Sequence, residues 1–258
     1  LVIDLDPQAN TSRRFTSVES FSVDGSQEWH PAPHPDYDAD DPEFAIWPDG
    51  RSSSADIWVE PFIFYPYPSN RHPNISVLPA DSSRLQRVES VKKSELYLHV
   101  LSRMKNFINR EGVSDTYDLI IMDTRPSKGP ITTAALTGAT HLLIPSDMEA
   151  ASIEGLVGVL SLCQMANSSR ESHDGLNIIG FLPNRFQKNT RIHKKHLEGL
   201  KADPVTERYV MEKSLGDRVG YKEIMDVGAD SLFDRQPSNP VRKEAEAVCK
   251  HVLDCLFK

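Results

Sequence analysis

The chain has 258 residues, 39% of them hydrophobic, and its 29 basic against 37 acidic side chains give a formal net charge of −8. That size and apolar content suit one large α/β domain as well as two small ones, and they exclude a disordered tail. No apolar run approaches the roughly 20 residues that a membrane-spanning helix needs. The three dispersed cysteines, Cys163, Cys249 and Cys255, argue against a disulfide framework or a clustered metal site and for a reducing, cytoplasmic setting. The acidic balance does not favour nucleic acid overall, although local patches decide that question.

In chain order, LVID at 1–4 opens as a continuous apolar strand, so no signal peptide is expected. Residues 20–74 read as a Pro-rich insertion: nine of the 18 prolines fall between Pro31 and Pro73, around an acidic knot, PDYDADDPEF. Its aromatic residues (Trp47, Trp58, Phe62, Phe64, Tyr65, Tyr67, with Trp29 just ahead of Pro31) seek burial. The insertion is therefore expected to cover one edge of the domain, the alternative being a lobe that meets a partner or a second subunit. NISVLP at 74–79 is a strand. Leu85, Val88 and Val91, then Leu98, Leu101, Met104 and Ile108, predict one long helical stripe, either continuous or in two pieces. YDLIIMD at 117–123, THLLIPS at 140–146 and LNIIGFLPN at 176–184 are further apolar strands. Helices fit 150–168, 189–201, 217–226 and 238–256, the last with Ala245, Val248, Val252 and Leu256 on one side. Continuous apolar strands alternating with helices predict a doubly wound, mostly parallel α/β sheet flanked by helices, a single domain over 1–258 interrupted by the insertion.

Ligands of open α/β sheets bind beyond the carboxyl ends of the strands. Two apolar strands here end in acid, at Asp6 after LVIDL and at Asp123 after LIIM, and Asp4 precedes Asp6 by two, so on a strand both project to one face. Buried carboxylates side by side repel unless they are paired, hydrogen-bonded or near a cation. A divalent cation such as Mg²⁺ solves this with hard oxygen ligands. The plainer alternative is that each Asp caps the turn or helix that follows.

The segments carry a resemblance. LVIDLDPQANTS resembles the switch I segment of the ParA/Soj branch of the ParA–MinD family of P-loop ATPases, and YDLIIMDTRPSKGPITTAALTGATHLLIPSDMEAASIEGL resembles its Walker B strand, switch II and the next strand and helix. NISVLPADSSRLQRVE, GFLPNRFQKNTRIHKKHLEGL and DRVGYKEIMDVGADSLFD are similar to later family segments in the same order. The resemblance spans most of the chain outside the insertion and implies a P-loop NTPase-like fold.

It also implies ATP hydrolysis with Mg²⁺, coupled to homodimerisation. Asp6 would position the attacking water and bear on the metal, Asp4 would help to hold the metal's water shell, and Asp123 would take the Walker B role. Thr124 to Ser127 would sense the γ-phosphate. Asn184 would read the base, an amide supplying both donor and acceptor; its alternative is a strand-ending turn. The family implies non-specific DNA binding, a ParB-like partner and a cytoplasmic, nucleoid-associated protein without membrane attachment. Lys188, Arg191, Lys194 and Lys195 at one helix start are the DNA-binding candidates, with Arg242, Lys243, Lys250 and Lys258 on the last helix; a solvated basic face is the alternative. Two departures stand out. No Gly-rich, two-lysine Walker A loop occurs in residues 1–258, so that loop is expected ahead of Leu1 in the complete protein. Arg125 stands where the family usually has Pro. The rival readings are a non-hydrolysing scaffold and a MinD-like positioning ATPase. The latter needs a basic amphipathic tail, whereas EAEAVCKHVLDCLFK reads as a helix closing the domain.

Overall fold

The structure is a computed structural model that describes all residues except 42–48, 61–62, 92–94, 169, 171–174, 225–228 and 258. Trp47, Phe62 and Lys258, singled out above, lie outside the described residues. The chain is α/β, with mostly parallel strands flanked by helices, and it divides into two compact units, Leu1–Gly138 and Ala139–Lys258.

In the first unit a four-stranded sheet runs in the order β4 (Tyr67–Pro68), β5 (Ser76–Leu78), β1 (Val2–Asp4), β6 (Ile121–Asp123). β5, β1 and β6 are parallel, and β4 adds antiparallel at the edge. Helices α2 (Ser82–Glu89), α3 (Glu95–Ile108) and α4 (Pro130–Gly138) pack with the sheet, so Ile3, Leu5 and Leu78 are buried with Leu85, Met104, Phe107 and Ile131. Burying those seven side chains contributes on the order of 1.5–3 kcal/mol each before the entropy of ordering is subtracted. The expected helix over 85–108 is thus two helices, and α4 was not anticipated.

Residues 20–74 hold more regular structure than a Pro-rich loop suggests. β2 (Val18–Val23) and β3 (Ser26–Pro31) form an antiparallel hairpin whose two-residue turn, Asp24-Gly25, has positive φ at both positions (49° and 79°). Positive φ at both residues is what the right-handed twist of a tight hairpin requires. A 3₁₀ turn at Ser54–Trp58, closed by a Ser53/Asp56 capping box, buries Ser52 to Ile57. The Arg84 guanidinium pairs with Asp56 and also donates to Ser53 Oγ at 3.1 Å. Together with edge strand β4, these contacts tie the region to the sheet.

In the second unit β7 (His141–Asp147) and β8 (Asn177–Asn184) run parallel, with an irregularity where Leu142 pairs with Ile178 but Leu143 with Gly180. Gly180, at φ 156°, lies against Met211 and the Tyr209 carbonyl, which leaves no room for a side chain. Around this pair lie α5 (Ala150–Ser168), α6 (Arg191–Ala202), the short α7 (Val219–Glu223) and α8 (Pro240–Leu256). Asn239 caps α8, accepting from Val241 N and Arg242 N, with Pro240 at the first helical position where its missing N–H costs nothing. The apolar face of α8 is used within the unit: Val241 and Ala245 pack with Leu232, and Val248 with Leu182 and Met211.

Candidate functional site

β1 and β6 end in register. Val2 pairs with Ile121, Ile3 with Met122 and Asp4 with Asp123, and the Leu5 amide still donates to the Asp123 carbonyl at 2.8 Å. The side chains at this shared end then part company. Asp4 is fully buried and Asp123 is exposed. Asp4 Oδ2 accepts from the Ser12 amide at 2.7 Å and the Ser12 hydroxyl at 2.6 Å, while Oδ1 accepts from the Asp6 amide at 3.1 Å. Burial pushes the Asp4 carboxyl up to about 6, with the charge of Asp123 adding to the effect and the Ser12 donations opposing it.

The chain leaves the strand after Asp4, so the expectation that Asp4 and Asp6 share a face does not extend to Asp6. Asp6 is half-buried and begins a turn. Its Oδ1 accepts from the Gln8 amide at 3.0 Å and its carbonyl from Ala9 N at 2.9 Å. Ala9 holds a left-handed conformation (φ 53°), and α1 (Asn10–Phe15) follows. A non-glycine residue pays roughly 1–2 kcal/mol there, a cost that the Asp4–Ser12 bonds offset. This turn brings the Thr11 hydroxyl to Asp123 Oδ2 at 2.5 Å. Ser12 Oγ also accepts from Ala80 N at 2.8 Å, and the Ser54 hydroxyl donates to the Asp4 carbonyl at 2.6 Å, so β5 and the region 20–74 both brace the end of β1.

Beyond Asp123 the chain passes through Thr124, half-buried, and Arg125, exposed, before α4. Ser127 faces another carboxylate: its hydroxyl donates to Glu89 Oε1 at 3.0 Å and lies 3.1 Å from Thr132 Oγ1. Sequence reasoning named Asp4, Asp6, Asp123, Thr124 and Ser127 in this unit. It missed Thr11, Ser12 and Glu89, since a Thr-Ser pair at the start of a helix reads as ordinary capping.

In the second unit Asn184 closes β8 in register with Asp147, which closes β7. Arg185, with φ 46°, pairs its guanidinium with Asp147. Lys188, Arg191, Lys194 and Lys195 are all exposed, and the last three fall at i, i+3 and i+4 on one face of α6. Arg242, by contrast, is engaged with Glu246 and with the Phe233 and Arg235 carbonyls.

Among the described residues no three His, Cys, Asp or Glu side chains converge as a metal site. A strand-end carboxylate beside a hydroxyl, Asp123 with Thr11, still fits Mg²⁺, which keeps several waters and takes only one or two carboxylates. Asp4 does not fit as a direct ligand, because both its oxygens are already bonded to Ser12 and to the Asp6 amide.

Parallel strands flanked by helices, with acids at adjacent carboxyl ends, form an open α/β sheet of the kind that binds ligands beyond its strand ends. An AAA domain model matches residues 60–176. Protein IncC of Escherichia coli is 27% identical over 134 residues, 52% of this chain and 34% of that protein. The uncharacterized protein MJECL24 of Methanocaldococcus jannaschii is 31% identical over 99 residues, 38% of this chain and 37% of that one. The chain's match thus spans about a third of the length of these curated relatives. Among solved structures, apo McdA of Cyanothece superposes with a TM-score of 0.70 at 19% identity, over 97% of this chain and 86% of that one. A putative plasmid partition protein of Borrelia burgdorferi B31, bound to AMPPNP, gives 0.60 at 19% identity, over 98% and 85%. These structures show the fold. Taken with the domain match, the findings support the ParA/MinD-type P-loop ATPase family. No helix among the described residues is long and apolar enough to cross a membrane.

Proposed function

We propose that this chain belongs to a ParA-type partitioning ATPase that dimerises around ATP, binds DNA non-specifically in that state and is stimulated by a ParB-like partner on its cargo. The observation that carries this reading is the registered end of β1 and β6, where the folded turn 5–12 brings Thr11 onto Asp123. Mg²⁺ with ATP, when bound, would supply the charge neutralisation that phosphoryl transfer needs. Asp123, exposed beside Thr11, would meet the metal through water. Asp6, on the turn, would orient the attacking water. Asp4 would act one step back: its bonds to Ser12 hold the turn that presents Asp6 and Thr11, in place of the water-shell role first expected of it. Thr124 and Ser127 would stand beside the phosphates. Lys188, Arg191, Lys194 and Lys195 offer phosphate contacts to DNA.

The test is turnover and ATP binding in the complete protein. Asp6→Ala is expected to abolish hydrolysis while ATP still binds, and Asp123→Ala to weaken Mg²⁺-dependent ATP binding. Unchanged turnover in Asp6→Ala removes Asp6 from its role. No Gly-rich, two-lysine loop occurs within residues 1–258, so these residues alone are expected to turn over ATP slowly or not at all.

A further inference from the structure

We infer that Glu89 is a positioning residue, a latch from α2 that holds the loop after Asp123 in one conformation. The loop runs from Thr124 to Gly129 and enters α4 at Pro130, which has no N–H to offer. The first amide of α4 that can donate, Ile131 N, points at Glu89 Oε2 at 3.4 Å, and the Ser127 hydroxyl donates to Oε1 at 3.0 Å. Gly129 lies flat against the same carboxylate, where a Cβ would collide with it. Its amide in turn donates to Ser127 Oγ at 3.3 Å. Three successive odd-numbered positions of the loop and helix start thus converge on one carboxylate from another helix, 38 residues away in sequence from Ser127.

The chemistry favours this seat. Helix starts carry unpaired amides and a partial positive charge, so a carboxylate there is stabilised and the amides are satisfied. Among the described residues the loop's other bonds are to its own neighbours, such as Ser127 N to the Arg125 carbonyl at 2.8 Å, and segments held so locally open readily. Glu89 also fixes where the Ser127 hydroxyl stands, and it makes that hydroxyl's donation to a protein anion the resting state. The consequence for phosphate sensing rests on the function proposed above; the latch itself does not.

Hydrogen exchange on residues 1–258 without nucleotide tests the latch directly. Glu89→Ala is expected to speed exchange of amides 127–129, 131 and 132 by about tenfold or more while α3 and the β1 strand keep their protection. Glu89→Gln, which retains an acceptor oxygen, should recover most of that protection. Gly129→Ala should mimic Glu89→Ala by pushing the carboxylate aside, yet add less than about twofold in the Glu89→Ala background, because contacting residues are not additive. Exchange within about twofold of wild type in Glu89→Ala, or a full additional effect of Gly129→Ala on top of it, would overturn the latch. ATP binding is read separately in the complete protein: its absence in wild type would sink the ATPase reading and leave the exchange result standing.

Discussion

Removing one hydroxyl tests how the turn at the end of β1 is held. Ser12 is buried at 0% exposure; its Oγ donates to Asp4 at 2.6 Å and accepts from Ala80 N at 2.8 Å. Ser12→Ala deletes a bond to a charged acceptor, worth about 1.5–3 kcal/mol, and orphans a buried amide at about 1–3 kcal/mol. Alanine returns about 0.5 kcal/mol as the better helix former in α1. The net expectation is a loss of about 2–5 kcal/mol, a large part of the stability of a domain this size. All three tryptophans precede residue 139, so urea denaturation followed by their fluorescence reports the unit that contains Ser12. The midpoint should fall with the slope unchanged. Asp4→Asn in a double-mutant cycle should couple to Ser12→Ala by about 1–2 kcal/mol, since the side chains touch. A loss below about 0.5 kcal/mol, the range of ordinary surface changes, or simple additivity would refute the claim that this pair holds the turn.

Three further outcomes are expected. Tyr67 is buried, donates to the Ala32 carbonyl at 2.7 Å and accepts from Ser52 N at 3.2 Å, and burial pushes its ionisation from 10 up to about 12. The folded state therefore holds the proton more tightly than the unfolded chain, so this contribution is intact below pH 10 and lost as pH rises toward 12, about 3 kcal/mol in full. Tyr67→Phe should be less stable at pH 8 by about 1–2 kcal/mol, and the gap to wild type should close above pH 10; a constant gap contradicts the burial. Gly180→Ala would set a Cβ 2.5 Å from Met211 Cγ and 2.8 Å from the Tyr209 carbonyl. A loss of about 1–3 kcal/mol in thermal denaturation is expected, and wild-type stability would show that the β8 neighbourhood yields. Charge reversal of Lys194 and Lys195 in the ATP-bound complete protein should weaken DNA binding and flatten the log-affinity against log-salt slope by about 2; an unchanged slope removes α6 from the DNA surface.

The strands and long helices were legible because a parallel strand covered on both faces is a short continuous apolar run, and helices such as Ala150–Ser168 separate those runs cleanly. The β2–β3 hairpin was missed although Asp24-Gly25 is a strong turn signal, because VESFSV carries little apolar weight and sits at the mouth of a proline-dense stretch. α4 was missed for a similar reason: PITTAALTG is rich in Thr and small residues, poor markers of periodicity, even though it buries Ile131, Ala134 and Ala135. At the site, sequence pointed to the ends of β1 and β6, which pair in register, but not to how their charges are met. The repulsion between buried carboxylates called for a cation. For Asp4 the remedy is Ser12, brought back by a left-handed Ala9 that nothing in the local sequence announces.

That difference separates the two registered acids in a way their sequence context does not. A carboxylate with three donors and no exposure keeps its place by structure, and stripping it of them to meet a cation would leave the Ser12 and Asp6 amides unpaired. An exposed carboxylate with a hydroxyl beside it can exchange water for a metal's water shell at little cost. Asp4 and Asp123 should therefore respond in opposite ways when each is made Asn: Asp4→Asn should lower stability before it touches Mg²⁺ affinity, and Asp123→Asn the reverse. Titrating Mg²⁺ against both variants in the complete protein, with urea midpoints measured alongside, separates these roles. Equal losses of stability from the two would mean that exposure does not divide them, and the placement of the metal at Asp123 would lose its physical basis.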